Sequence, residues 1–354
     1  MSAVLVTGGA GFIGANFVHF LRWQRPEWQI INLDLLTYAG NPENLAALEG
    51  DPGHILVSGD VADGALVASL FQRYPITRVV HFAAETHVDR SIMDPGVFVR
   101  TNVLGTYTLL EAARHAWQGR LQGEEPRFLH ISTDEVYGSL GPEDPAFTEA
   151  TPYSPNSPYA ASKAGADLLV RSYFRTYGFP ALITNCSNNY GPYQFPEKLI
   201  PFALSQVLAG KPVPIYGSGT NIRDWIYVED HCRGALLVLE QGRPGETYNL
   251  GGQQEKPNLE LVRLLLKLLR EMRPELGHPE DLITFVTDRP GHDWRYALNT
   301  AKIERELGWR PQVDLEEGLR RTLTWYLAHQ DWLERVRSGA YREYLQRQYG
   351  AAVV

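Results

Sequence analysis

The chain has 354 residues, with 41 acidic against 33 basic side chains and a formal net charge of −8. That length predicts two domains, or one large α/β domain with an appendage, and a core that needs neither disulfides nor a structural metal. The acidic balance argues against non-specific attachment to nucleic acid or anionic lipid, while leaving room for a local basic pocket.

Cys186 and Cys232 are the only cysteines, too few for a disulfide framework and without the paired spacing of a metal motif. Residues 1–6 lack a basic leader, and no apolar run approaches the ~20 residues of a membrane-spanning helix. The sequence therefore predicts a soluble cytoplasmic protein with no metal site.

In chain order, residues 4–7, 30–33, 55–58, 79–83 and 128–132 read as strands. They are continuously apolar, as in a parallel sheet covered on both faces. Residues 11–23 carry helical spacing, with Phe12, Ile13, Phe17, Phe20 and Leu21 on one side. Residues 102–117 do the same, and a further helix covers 158–177. Repeated βα units with right-handed crossovers predict a Rossmann-type doubly wound parallel sheet. From about Pro192 onward, prolines and the run 217–219 break the chain into shorter pieces. A helix over 229–239, a strand over 246–250, a helix over 259–273 and a strand over 283–287 follow. The expected division is a Rossmann domain over 1–190, to which 224–250 returns, and a smaller mixed α/β region over 191–354 interleaved with it.

Residues 7–14 (TGGAGFIG) follow the first strand and open the first helix. Gly8, Gly11 and Gly14 permit a tight turn and a close approach of backbone to pyrophosphate, which the helix N-terminus favours. Asp34 ends the second strand about 20 residues on, where a carboxylate binds ribose hydroxyls. It would repel a 2′-phosphate, and Leu35, Leu36, Thr37 and Tyr38 offer no cation to neutralise one, so NAD is favoured over NADP. Asp60, after the third strand, is placed to reach the adenine edge.

Ser157 and Pro158 form an N-cap and first helical residue. Tyr159 and Lys163 then share one helix face. A lysine ammonium one turn away, with the positive nicotinamide ring, favours the phenolate and lowers the tyrosine pKa from its usual value of about 10, making it a base for a hydroxyl. Thr133, at the end of the fifth strand, can hydrogen-bond that hydroxyl. Beside it, Asp134 and Glu135 are more than hydride transfer alone requires. One protonated and one ionised carboxyl are equipment for removing water from a β-hydroxy ketone.

Together with 7–14, the stretches 36–41 (LTYAGN), 83–91 (AAETHVDRS), 132–138 (STDEVYG), 159–163 (YAASK), 184–200 (TNCSNNYGPYQFPEKLI), 223–225 (RDW), 288–293 (DRPGHD) and 307–309 (LGW) resemble a known family. It is that of the nucleotide-sugar 4,6-dehydratases, within the extended short-chain dehydrogenase/reductases. The likeness runs to about residue 326. It implies that Tyr159, helped by Lys163, takes the proton from the sugar 4-hydroxyl as hydride passes from C4 to NAD. Glu135 then removes the C5 proton, Asp134 protonates the departing 6-hydroxyl, and hydride returns to C6. The implied substrate is dTDP-glucose, and the implied assembly is a homodimer through the helices 102–117 and 158–177.

The resemblance further implies NAD contacts at Phe12, Ile13, Leu35, Thr37, Val61, Ala83, Ala84, Thr101 and Asn189. Lys198, Arg223 and Arg289 are candidates for the diphosphate, because a guanidinium fork suits phosphate oxygens. Asn188, Leu199, Pro214, Ile215, Tyr216, Asn258, His292 and Tyr296 match positions that contact the nucleotide sugar, and Glu85 and Thr86 line the sugar pocket. Thr86 replaces a common serine, and Leu35 replaces a common lysine beside the cofactor ribose. A 4-epimerase or a UDP-glucuronate decarboxylase also needs Tyr159 and Lys163, but neither needs Asp134 and Glu135. A silent NAD or nucleotide-sugar sensor is the reading from a different class. The base, thymine or uracil, is open at the level of the sequence.

Overall fold

The computed structural model describes residues 2–118, 125–288 and 291–337. Twelve strands follow in chain order: β1 Ala3–Thr7, β2 Gln29–Asp34, β3 His54–Ser58, β4 Ile76–His81, β5 Arg127–Thr133, β6 Ala181–Cys186, β7 Asn188–Tyr190, β8 Val213–Tyr216, β9 Ile222–Tyr227, β10 Thr247–Leu250, β11 Glu255–Pro257 and β12 Ile283–Val286. Seven make one parallel sheet in the order β3-β2-β1-β4-β5-β6-β10. This is an α/β Rossmann-like fold. Strand order reverses between β1 and β4, and such a switch point opens a crevice at the carboxyl ends of the strands.

Burial follows position in the sheet. Every residue of β1, at the sheet centre, is buried. β3 departs from the uniformly apolar expectation, with Leu56 37% exposed. It is an edge strand, so one face lacks full cover. Helix Phe12–Gln24 and helix Val228–Gln241 pack on one face through Phe17, Val18, Leu21, Ala235 and Leu239. Helices Gly64–Arg73, Gly105–Trp117 and Pro158–Tyr177 cover the other through Val67, Leu109, Leu110 and Val170. Leu109 and Leu110 are wholly buried, so truncating either to alanine costs about 2–5 kcal/mol.

The helix expected from residue 102 begins differently. A helix Val88–Met93, a short turn Pro95–Phe98 and a wide π-type turn Val99–Leu104 lead into Gly105–Trp117. Buried Asn102 is the anchor within this approach. Its amide nitrogen donates to the Glu85 carbonyl and the Ser162 Oγ, and its oxygen accepts from Glu85 N–H. A widened turn lets this side chain tie β4's following loop to helix Pro158–Tyr177.

A second core gathers Tyr190, Ile200, Leu204, Ile215, Leu265, Leu269, Leu319 and Leu323. The strand β9 runs between the two cores: Trp225 and Tyr227 point into this second one, and Ile226 into the first. Period-two alternation thus lets one strand join both. β9 pairs with β7 and β11, and β8 pairs with β12. β7, β8, β9 and β11 have no counterpart in the sequence reading: β7, β8 and β11 have only three or four residues each, and β9 alternates between two cores.

Candidate active site

The cofactor side is built on close backbone approach. Gly8 has φ +72°, and a Cβ there would lie 2.6 Å from Ala83 N. A Cβ on Gly14 would lie 2.1 Å from the Gly8 carbonyl oxygen. Only hydrogen fits at either place. Helix Phe12–Gln24 has no side-chain cap and no acidic residue in its first turn, so its N–H groups and positive dipole end face the crevice. Asp34, closing β2, accepts from Ala10 N (2.9 Å) and Leu36 N (2.8 Å). Burial pushes its carboxyl above the usual range, against both hydrogen bonds.

Every residue read above as cofactor-binding lines one cavity of about 300 Å³. The residues fit NAD: the cradle excludes side chains, and Leu35, Leu36 and Thr37 bring no positive charge beside Asp34. Asp60 is more constrained than the sequence suggested, since its carboxylate takes Ala62 N and Arg100 Nη2, both at 2.8 Å.

Ser157 Oγ accepts from Ala160 N and Pro158 fills the first position of helix Pro158–Tyr177, so Tyr159 and Lys163 fall on its inner face. Lys163, 3% exposed, donates from Nζ to the Ile131 carbonyl at 2.8 Å. Burial, then the Glu135 charge, drive the Tyr159 phenol well above its ordinary value, and a hydrogen bond with Thr133 opposes them only in part. Lys163 is itself desolvated, with its pKa pushed down to about 8.

Thr133 ends β5 and caps a single 3-10 turn, Asp134–Tyr137, by accepting from Glu135 N. Asp134 is 2% exposed. Burial, Glu135 and Asp224 all push its carboxyl well above the usual range, which favours its protonated form. Two adjacent carboxyls thus stand in unequal surroundings, Asp134 buried and biased towards its protonated form, Glu135 only partly buried.

A second cavity of about 190 Å³ adjoins the first, and Thr86, Glu135, Asn188 and Lys198 line both. Leu199, Pro214, Ile215, Tyr216, Arg223, Asn258, His292 and Tyr296 line the second, while Glu85 and Thr133 line the first. Arg289 lies outside the described residues. Arg223 stacks 4.3 Å over the Tyr296 ring and donates to the Ile222 and Asp293 carbonyls. Lys198 Nζ donates to the Thr86 carbonyl at 3.1 Å, and His292 Nδ1 stands 2.6 Å from Asp288 Oδ1. Among the described residues, no three His, Cys, Asp or Glu side chains gather as a metal site.

The sequence reading passed over Glu197 and Asp224. Glu197 lines both cavities, with burial pushing its carboxyl up to about 6 and Arg90 Nε 3.4 Å away. Asp224 is buried behind Asp134, its carboxyl likewise pushed up to about 6. Both fall inside stretches quoted for the family likeness, but a carboxylate's depth depends on tertiary packing that spacing does not carry.

The family description GDP-mannose 4,6 dehydratase matches residues 5–322. The dTDP-glucose 4,6-dehydratase of Xanthomonas campestris pv. campestris is 55% identical over 346 residues, covering 97% of this chain and 98% of that one. A dTDP-glucose 4,6-dehydratase structure from Streptomyces venezuelae, with NAD and a dTDP ligand bound, superposes with a TM-score of 0.86 at 49% identity, covering 94% of this chain and 99% of that one. Another from Bacillus anthracis, in complex with NAD, gives 0.85 at 42% identity over 95% of this chain and 100% of that one. With its glycine cradle, its Tyr159–Lys163 pair and its two unequal carboxyls, the chain belongs to the GDP-mannose 4,6 dehydratase family and, within it, stands with the dTDP-glucose 4,6-dehydratases.

Proposed function

We propose that the chain is an NAD-dependent hydro-lyase that converts dTDP-glucose to dTDP-4-keto-6-deoxyglucose through C4 oxidation, C5/C6 elimination and hydride return to C6. The observation that carries this is the carboxyl pair beside Tyr159: buried Asp134 lines the first cavity, and Glu135 lines both. Gly8, Gly11, Gly14 and Asp34 would hold NAD in the first cavity, where it would supply a reversible hydride acceptor for C4 and donor for C6. The chain's own residues handle protons and position. Tyr159 removes the proton from O4, with Thr133 orienting that oxygen and Lys163 supplying positive charge. Glu135 removes the C5 proton, which a neighbouring 4-ketone acidifies, and C5 is reprotonated when hydride reaches C6. Asp134 donates the proton it already holds to O6, which leaves as water. Lys198 and Arg223, with Arg289, meet the diphosphate, while Asn188, Leu199, Tyr216, Asn258 and His292 hold the nucleotide sugar.

The division of labour follows the same reading. Residues 1–190, with 224–250, serve as the NAD-binding domain, supported by the pairing of β10 with β6. Residues 191–354 serve as the substrate-binding region. The protein works in the cytoplasm as a homodimer. Supporting the dimer, Met93, Val99, Leu104, Tyr107 and Leu168 present a band of exposed apolar side chains across helices Gly105–Trp117 and Pro158–Tyr177 and the segments leading to them, with Leu168 57% exposed. Such a contiguous apolar face marks an interaction surface. Among the described residues, no helix is long and apolar enough to cross a membrane.

Incubation with dTDP-glucose and with UDP-glucose, followed by mass measurement, tests the assignment. Loss of water from dTDP-glucose supports it. A galactose or xylose nucleotide as product overturns it in favour of an epimerase or decarboxylase, and no turnover favours a sensor. Sedimentation showing only monomer at micromolar concentration overturns the dimer.

A further inference from the structure

Behind the Tyr159–Lys163 pair lies a buried polar cluster with no place in the reaction described so far. His130 and Asp167 are both 0% exposed. His130 Nε2 lies between two charged groups, 3.5 Å from Lys163 Nζ and 3.2 Å from Asp167 Oδ1. Asp167 follows Lys163 by one helical turn, so helix Pro158–Tyr177 carries phenol, ammonium and carboxylate on successive turns of its inner face. Ser132 Oγ and Tyr153 Oη each donate to Asp167 Oδ2 at 2.8 Å. Arg171, one turn further on, donates to Tyr153 Oη at 2.8 Å and lies over that ring.

The other titratable groups facing Lys163 carry no charge near neutrality. On β4, burial holds the His81 ring well below its ordinary value, and on β5 it brings His130 down to about 4, so both are neutral. At the end of β6, burial pushes the Cys186 thiol up to about 12. Asp167 is the carboxyl group that reaches Lys163, with His130 Nε2 between them. Removing a buried counter-charge leaves the other ion uncompensated, and a buried ammonium then gives up its proton.

We propose that Asp167 is a positioning residue of the catalytic machinery: acting across His130, its buried carboxylate holds the charge on Lys163, and Ser132, Tyr153 and Arg171 hold that carboxylate in place. The inference rests on the reading of Tyr159 and Lys163 as the catalytic pair. Burial alone drives Lys163 down, and Asp167 opposes it. Without Asp167, Lys163 is neutral at working pH, and Tyr159 loses its cation.

The test is an NMR titration of the protein as purified, carrying [15Nζ]lysine. The chain has six lysines, few enough to resolve Lys163. In Asp167→Asn, the Lys163 titration moves down by about one pH unit or more, the effect of one close charge. The alkaline limb of kcat moves down with it, KM stays put, and activity lost at pH 8 returns at pH 6.5. Asp167→Glu, keeping the charge, restores the wild-type limb. Should Asp167→Asn not fold, Arg171→Leu at the partly exposed outer end loosens the hold on the carboxylate through Tyr153 and moves the limb the same way, by less. An unmoved Lys163 titration in Asp167→Asn or Arg171→Leu overturns the proposal, as does a kcat loss equal at every pH. Wild-type protein without turnover counts against the dehydratase reading instead, and the NMR titration still decides this one.

Discussion

Thr133 Oγ1 stands 3.2 Å from Asp134 Oδ1 while accepting from Glu135 N at 3.3 Å, so one hydroxyl organises both carboxyl residues. It also hydrogen-bonds Tyr159. Thr133→Val keeps the shape and removes all three contacts. The expected loss is about 1 kcal/mol of stability, the size of a lost cap, and on the order of 10² in kcat, since proton transfer depends on position. Thr133→Ser, which keeps the hydroxyl, stays within a few-fold of wild type. Steady-state kinetics with parallel thermal melts check both.

The carboxyls themselves separate elimination from oxidation. Asp134→Asn with Glu135→Gln removes the acid and the base while keeping volume. The double variant stops releasing water, yet still binds NAD and still shows Tyr159-dependent oxidation as absorbance of reduced cofactor in the presence of dTDP-glucose. Undiminished water loss in the double variant refutes the assignment of both residues.

How much of this was legible in the sequence depends on how local each feature is. The glycine turn, the Ser157 cap and the Tyr159–Lys163 spacing are set by neighbours within a few residues, and the structure brings all of them to the crevice. Their charge states were not legible. For Tyr159, the lowering expected from Lys163 and the nicotinamide ring is set against burial and Glu135, which push the other way, and burial is a property of the whole fold. Likewise Glu197 and Asp224 look like surface carboxylates in sequence, next to Lys198 and Arg223. Each is buried because the segments carrying it sit between the two cores. β9 escaped notice for a related reason: its alternation serves two cores rather than one core and solvent.

Gly14→Ala tests the cradle without touching the chemistry. Its Cβ would meet the Gly8 carbonyl at 2.1 Å and Gly9 Cα at 2.8 Å, so the turn must move. Overpacking of this kind costs about 1–3 kcal/mol. Purified Gly14→Ala therefore carries much less NAD than wild type and melts at lower temperature, and added NAD recovers part of both. Full NAD content in this variant contradicts the close-approach account of the loop.

Asp224 gives a prediction in which stability and activity move in opposite directions. Its carboxyl titrates at about 6 in the fold against 3.8 ordinarily, raised chiefly by burial. Between these values the folded protein holds a proton that the unfolded chain has released, so this residue's contribution to stability falls as pH rises from about 4 to 6 and stays low above it. The shift corresponds to about 3 kcal/mol at most. Asp224→Asn avoids that cost, with Oδ1 still accepting from Gln254 N. Urea melts are expected to show little difference near pH 4.5 and a gain of about 1–3 kcal/mol at pH 8. Catalysis moves the other way. Asp224's negative charge is one of the groups that keep Asp134 protonated, so its removal lets Asp134 ionise and lowers the rate of water loss at alkaline pH. A variant both destabilised at pH 8 and unaltered in its pH–rate profile would show that Asp224 acts through packing and not through charge.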